Sequence, residues 1–195
     1  MSAKADILRA IREHRPASPP LPRTPGPQKA GTDIQSRFCE SLILAGAEWV
    51  SEAAIGDWSA YLRKHYPDCQ NLVTALPELA GPGLQFLPAT TDARSLRNVD
   101  VAIIKGDWGV AENGAIWVPQ EQLPARVLPF ITQHLILLLP TDKIVETMHD
   151  AYHNIRPEAT PFGLFIAGPS TTADIEQSLV KGAQGARSAL VVLRT

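Results

Sequence analysis

Two short stretches carry the residue types that chemistry needs. The first is Gly168-Pro169-Ser170-Thr171-Thr172, followed by Asp174 and, further on, by Gly185 and Arg187. The apolar run from Gly163 to Ala167 leads into it and reads as a strand buried on both faces. Thr171 and Asp174 have the spacing of a capping box, and Asp174 and Glu176 load a first turn with negative charge. A helix is therefore predicted over 173–180. A hydroxyl-rich loop at a helix start suits an anion, because free N–H groups, hydroxyls and the helix dipole converge there, at the C-terminal edge of the sheet. Arg187 would face the same anion with a two-pronged guanidinium. The plainer alternatives are that Ser170, Thr171 and Thr172 only cap a helix and that Arg187 is a surface arginine.

The second stretch is Lys105 to Gly114, a polar, glycine-rich link between two apolar runs, Val101 to Ile104 and Ala115 to Val118. Sites are commonly built on such links. Glu112 is its sharpest residue, either a ligand-binding carboxylate or a solvated acid on a turn made by Asn113-Gly114. Trp108 lies in the same link and would floor a ligand site there. A helix predicted over 142–155 puts Glu146, His149, Asp150 and His153 on one face, with Ile144, Met148, Ala151 and Ile155 opposite. Two histidines at i, i+4 can bind a metal, but this polar set reads as the solvent face, and no metal site is assigned. His134 opens a buried strand and reads as structural.

The elements that must position these residues alternate between strand and helix. Helical spacing marks 33–47 and 57–65, and strand-like runs occur at 48–50, 72–75, 84–86, 101–104, 115–118, 134–139 and 189–193. That alternation predicts a three-layer α/β/α domain with a mainly parallel sheet over 31–195. Residues 1–30 form a separate basic extension, a short helix over 4–15 and a proline-rich tether. The tether is extended because proline denies the backbone its donor. This arm reads either as a mobile extension or as an element that docks on a partner subunit. The four tryptophans are, Trp108 apart, core candidates.

Composition bounds the function. The chain has 195 residues, 45% hydrophobic and 19% charged, enough for one domain with a core. A net charge of -2 gives no general attraction to nucleic acid or to a membrane surface. No apolar run approaches the ~20 residues of a membrane span, and the N-terminus lacks a signal-peptide stretch. Cys39 and Cys69 read as reduced thiols of a cytoplasmic protein and cannot by themselves ligate an iron–sulfur cluster.

Gly168-Pro-Ser-Thr-Thr-Ala-Asp-Ile-Glu176, Leu179-Val-Lys-Gly-Ala-Gln-Gly-Ala-Arg187, Gly109-Val-Ala-Glu-Asn-Gly-Ala115, Leu128-Pro129 and His134-Leu-Ile together resemble the LUD-domain family, on its lactate utilisation protein C (YkgG) side. The likeness is close over residues 95 to 195 and looser over 33 to 94. Thr171 stands where the family usually has arginine, and Gln184-Gly-Ala-Arg187 where it has His-Gly-Pro-Arg. The resemblance implies a fold shared with CoA transferases, ribose-phosphate isomerase and glucosamine-phosphate deaminase. It also implies a role in oxidising L-lactate to pyruvate beside partner subunits that carry iron–sulfur clusters, with this chain as the cluster-free component. An anionic small molecule at Gly168, Ser170, Thr171, Thr172, Asp174, Gly185 and Arg187, with Asn113 and Gly114 nearby, fits that picture. Glu112-Asn-Gly also resembles the motif around the nucleophilic glutamate of CoA transferases. That implies the alternative, an enzyme in which Glu112 attacks an acyl-CoA and carries CoA as a thioester.

Overall fold

A computed structural model describes residues 3–16, 20, 33–155, 161–173 and 179–195. The proline-rich tether is almost entirely outside these residues, as is Asp174. In chain order the helices are α1 (Ala3–Glu13), α2 (Ile34–Leu44), α3 (Glu52–Ile55), α4 (Trp58–His65), α5 (Leu128–Ile131) and α6 (Met148–Asn154). The strands are β1 (Glu48–Ser51), β2 (Leu72–Thr74), β3 (Gln85–Phe86), β4 (Val101–Lys105), β5 (Trp108–Val110) and β6 (Ala115–Pro119). They continue with β7 (His134–Pro140), β8 (Ile144–Val145), β9 (Gly163–Ile166), β10 (Thr171–Ala173), β11 (Leu179–Lys181) and β12 (Ser188–Arg194).

A six-stranded sheet ordered β1-β12-β7-β4-β2-β3, parallel throughout, forms the middle layer. The last strand of the chain is thus second from one edge, with Val191 level with Leu137, and Leu137 level with Ile104. Successive side chains point to opposite faces, so the apolar runs of β4, β7 and β12 supply two cores at once. Val101, Ile103, Ile136, Leu138, Leu190 and Val192 face a layer that includes Ile55 of α3 and Leu62 of α4. Ala102, Ile104, Leu135, Leu137, Leu139, Val191 and Leu193 face the other way, against Phe38 and Leu42 of α2, Leu128 of α5, and Ile116 and Val118 of β6. Each fully buried aliphatic side chain contributes about 1.5–3 kcal/mol of transfer free energy. The predicted mainly parallel α/β sheet is therefore present, with one outer layer built partly of strands rather than of helices alone.

That outer layer holds a second sheet, β8-β5-β6-β9, in which β5/β6 and β6/β9 are antiparallel and β5/β8 is parallel. Several local expectations change because of it. The polar link at 105–114 is mostly a hairpin arm, with Trp108 opposite Trp117. The run 163–167 is not a doubly buried strand; β9 is an edge strand of the small sheet and half-exposed. The helix predicted over 142–155 begins only at Met148. Ile144 and Val145 pair with β5, and the Thr147–Asp150 capping box fixes the later start. Glu146 is thereby off the helix and pairs instead with Arg37, at 3.1 Å. No tryptophan is fully buried, and Trp49 is exposed.

The helix predicted over 173–180 is overturned at both ends. Thr171–Ala173 is a strand paired antiparallel with Leu179–Lys181, Thr172 opposite Val180, while residues 174–178 lie outside the described residues. The Thr171…Asp174 capping signal is local, and β-branched Thr171, Thr172 and Val180 favour the extended pairing that replaced it. The N-terminal extension does contain the predicted helix, α1, and none of its side chains is buried. Among the described residues, no helix is long and apolar enough to cross a membrane.

Candidate functional site

α2 is the element on which both chemistry-bearing stretches close. Asp33 caps its start, its carboxylate accepting the Gln35 N–H, and Phe38 and Leu42 anchor it in the core. Gly114, at φ +70°, packs onto its backbone, where a Cβ would come within 2.9 Å of Ser41 and Leu42. Gly168, at φ +71°, packs on its far end, where a Cβ would collide with the Ala45 carbonyl oxygen. Both positions combine a left-handed backbone with close approach, and only glycine tolerates that pair of demands.

At the Glu112 turn several polar groups are committed to structural hydrogen bonds. The Glu112 carboxylate accepts the Met148 N–H at 3.0 Å, at the start of α6, and the Glu112 N–H donates to the Glu146 carbonyl at 3.0 Å. Asn113 Oδ1 accepts the Ala115 N–H at 3.0 Å, and the Ser41 hydroxyl donates to the Ala111 carbonyl at 2.6 Å. The turn thus ties α2, β5, β6 and α6 together. Trp108, expected to floor a ligand site, carries the Lys143 ammonium 5.2 Å from its ring centroid. Glu112, Asn113 and Gly114 line none of the cavities of about 230 to 580 Å³ among the described residues.

The Gly168 loop is different. The Ser170 N–H donates to the Ala186 carbonyl at 2.8 Å, and the Gly182 N–H to the Ser170 carbonyl at 2.9 Å. These bonds lace 168–170 to the loop 182–187, leaving the two in contact where a Cβ at Gly185 would sit 3.1 Å from that of Ser170. Beside them lies a cavity of about 230 Å³ with apolar walls from Phe130, Leu135 and Phe165 and polar groups from Ser170 and Gln184. Such a space suits a small molecule with one polar end.

Of the residues singled out from sequence, Gly168, Ser170 and Gly185 line this cavity, and Thr171 and Arg187 do not. Thr171 pairs with Lys181 and is exposed. Arg187 lays its stem across Gly182, and its charge helps hold the His134 imidazole below its usual range, after burial of the ring. The Arg187 N–H donates to the Gln133 carbonyl at 2.8 Å. Two corrections follow for the predicted anion site. The loop 182–187 precedes β12, and α5, which lines the cavity, precedes β7. The cavity is therefore at the N-terminal edge of the large sheet, not the C-terminal edge. Thr171 is in a strand, not at a helix start. Phe130 also lines the cavity and was not predicted; in the sequence it is only an aromatic residue after Leu128-Pro129. Among the described residues, no group of three His, Cys, Asp or Glu side chains could hold a metal ion. His153 instead bonds back to the His149 carbonyl at 2.7 Å.

Comparison with known proteins agrees with this architecture. A solved structure of a DUF162 family protein from Deinococcus radiodurans superposes with a TM-score of 0.61 over 83% of this chain and 96% of that one, at 17% identity, which speaks to the fold alone. A curated relative from Geobacillus kaustophilus, "Lactate utilization protein C", is 30% identical over 143 residues, 70% of this chain and 56% of that protein. One of the same name from Anoxybacillus flavithermus is 32% identical over 97 residues, 49% of this chain and 44% of its own length. The chain spans about half the length of the curated relatives it matches. Residues 88–193, over half of the chain, match the model of the LUD domain and contain both glycine contacts to α2, so the chain belongs to the LUD-domain family.

Proposed function

We propose that this chain is a cytoplasmic, cluster-free subunit of an L-lactate utilisation system, working in contact with iron–sulfur subunits that take the electrons when lactate becomes pyruvate. The observation that carries this is the exposed apolar surface beside the family's signature loop. Ile43 and Leu44, at the end of α2, are 62% and 88% exposed next to Gly168, and Phe130, on the rim of the same loop's cavity, is 50% exposed. Large apolar side chains left exposed around that loop fit a protein contact better than a solvated face. The names of the relatives supply the metabolic setting. Two cysteines, one buried and one half-buried, are too few for a four-thiolate cluster, so the electron-carrying groups belong to the partners. α1 exposes Ile7, Leu8 and Ile11 and is a second contact element, in a unit of its own ahead of the α/β domain at 31–195.

The small cavity at Ser170 and Gln184 is the place we assign to an anionic metabolite in this system. Glu112, whose carboxylate is spent on α6, favours the subunit over a CoA transferase.

The test is capture of partners by the tagged full-length chain from its native host, with iron measured in what is captured. Iron-bearing partners are expected, with weaker capture after Leu44→Asp or removal of residues 1–30. The purified chain alone should be colourless and inactive on L-lactate with an artificial electron acceptor, because electron removal needs a group to receive the electrons. Robust lactate oxidation by the isolated chain would refute the subunit assignment. Undiminished capture by the truncated chain would refute only the role of the arm.

A further inference from the structure

We propose that a second cavity, of about 460 Å³ between α4 and the first residues of β7 and β12, binds a small organic ammonium compound that also carries a hydroxyl or carbonyl oxygen. Its polar centre is made of three side chains from separate elements. His134 opens β7 and Ser188 opens β12, and the parallel register sets them side by side. The His134 Nδ1 and the Ser188 hydroxyl are 2.7 Å apart. Tyr66, just past the end of α4, lines the cavity beside the same serine, and its ring lies 5.1 Å from the imidazole. Burial pushes the Tyr66 phenol up to about 12, so it stays protonated and neutral. Ser188 can donate to Nδ1, which leaves the imidazole proton on Nε2 as a donor for a ligand oxygen.

The rest of the lining selects the charge. Tyr61 stacks on His65 at 4.2 Å, giving an aromatic wall that continues into Tyr66. Glu48 and Asp68 stand at the rim, and no lysine or arginine is among the lining residues. Both carboxylates act on the cavity. Burial raises the Tyr61 and Tyr66 phenols and the Cys69 thiol, Glu48 adds to the rise of both phenols, and Asp68, after Asp100, adds to that of the thiol. Burial and then the charge of Arg187, which is outside the lining, weaken the imidazole's hold on a proton, so His134 is mostly neutral at neutral pH. Aromatic faces with carboxylates beside them attract organic cations.

Cys69 lines the cavity and is half-buried, whereas Cys39 is buried in the core, so reaction of Cys69 with a thiol reagent reports occupancy. The labelling rate of Cys69, followed by peptide mass spectrometry, is measured with choline, tetramethylammonium or sodium lactate at equal ionic strength. Choline should slow labelling most, tetramethylammonium less, and lactate not at all. The double variant Glu48→Gln/Asp68→Asn, at two exposed positions, should keep the wild-type melting temperature while losing about tenfold or more in affinity for both cations. Ser188→Ala should erase the advantage of choline over tetramethylammonium and leave tetramethylammonium binding unchanged. Protection by lactate, or no protection by either cation, would overturn the proposal.

Discussion

At residues 111–114 the chain folds onto the middle of α2, with Gly114 against Ser41 and Leu42. At residues 168–170 it folds onto the end of α2, with Gly168 against Ala45. The two contacts are alike in geometry and unlike in consequence. The Glu112 turn spends a carboxylate oxygen, the Asn113 amide oxygen and the Glu112 N–H on structural hydrogen bonds. The Gly168 loop spends backbone groups on the loop 182–187 and still opens onto a cavity. A glycine-rich motif therefore says first that two backbones come close. Whether chemistry follows depends on which polar groups remain after the packing is satisfied.

The strongest way to break this comparison is at the glycines. Gly168→Ala forces a side chain into the Ala45 carbonyl at a left-handed φ, and should cost about 3 kcal/mol or more in urea unfolding. Gly114→Ala should cost somewhat less, because its contacts are looser, at 2.9 Å. Two near-neutral results would show that α2 is not clasped as described.

Next is Glu112→Ala, which removes a capping acceptor from α6 and should lower stability by about 1 kcal/mol. Intact-mass analysis after incubation with an acyl-CoA and borohydride should find no adduct on Glu112 in the wild type. An adduct would make the turn the active site and reverse the comparison.

Ser170→Ala sharpens the other side. It should leave the melting curve nearly unchanged while weakening a small carboxylate ligand by about 1 kcal/mol, read by calorimetry. Unchanged affinity would remove Ser170 from that site.

The smallest effect is on pH dependence. Burial and the Arg187 charge make the folded chain take up a proton at His134 less readily than the unfolded chain, whose ordinary value is 6.5. The unfolded state therefore binds more protons as pH falls, so this contribution is full above about pH 6.5 and is lost as pH drops toward the lowered folded value. The urea midpoint of the wild type should fall below that of His134→Gln, each relative to its value at neutral pH. Parallel curves would mean that His134 is not perturbed.

Much of the scaffold was legible in the chain because its signals are short-range and strong. The runs Val101–Lys105, His134–Pro140 and Ser188–Arg194 announce buried strands by composition alone, and helical spacing over 33–47 and 57–65 marks α2 and α4. The order and number of the signature motifs likewise carried the family. What tertiary structure alone decided was the partner of each segment. Thr171-Thr-Ala173 looks like a helix start in isolation and is a strand because Leu179–Lys181 is available to pair with it. Ile144-Val145 looks like the first turn of a helix and is a strand because β5 has an open edge beside it. The meeting of His134 with Ser188, 54 residues apart, depends on β12 entering the sheet next to β7, a long-range register that no local spacing encodes. Propensity and capping act over a few residues, while pairing and burial act across the whole chain. That is why the elements could be read in the sequence and their neighbours could not.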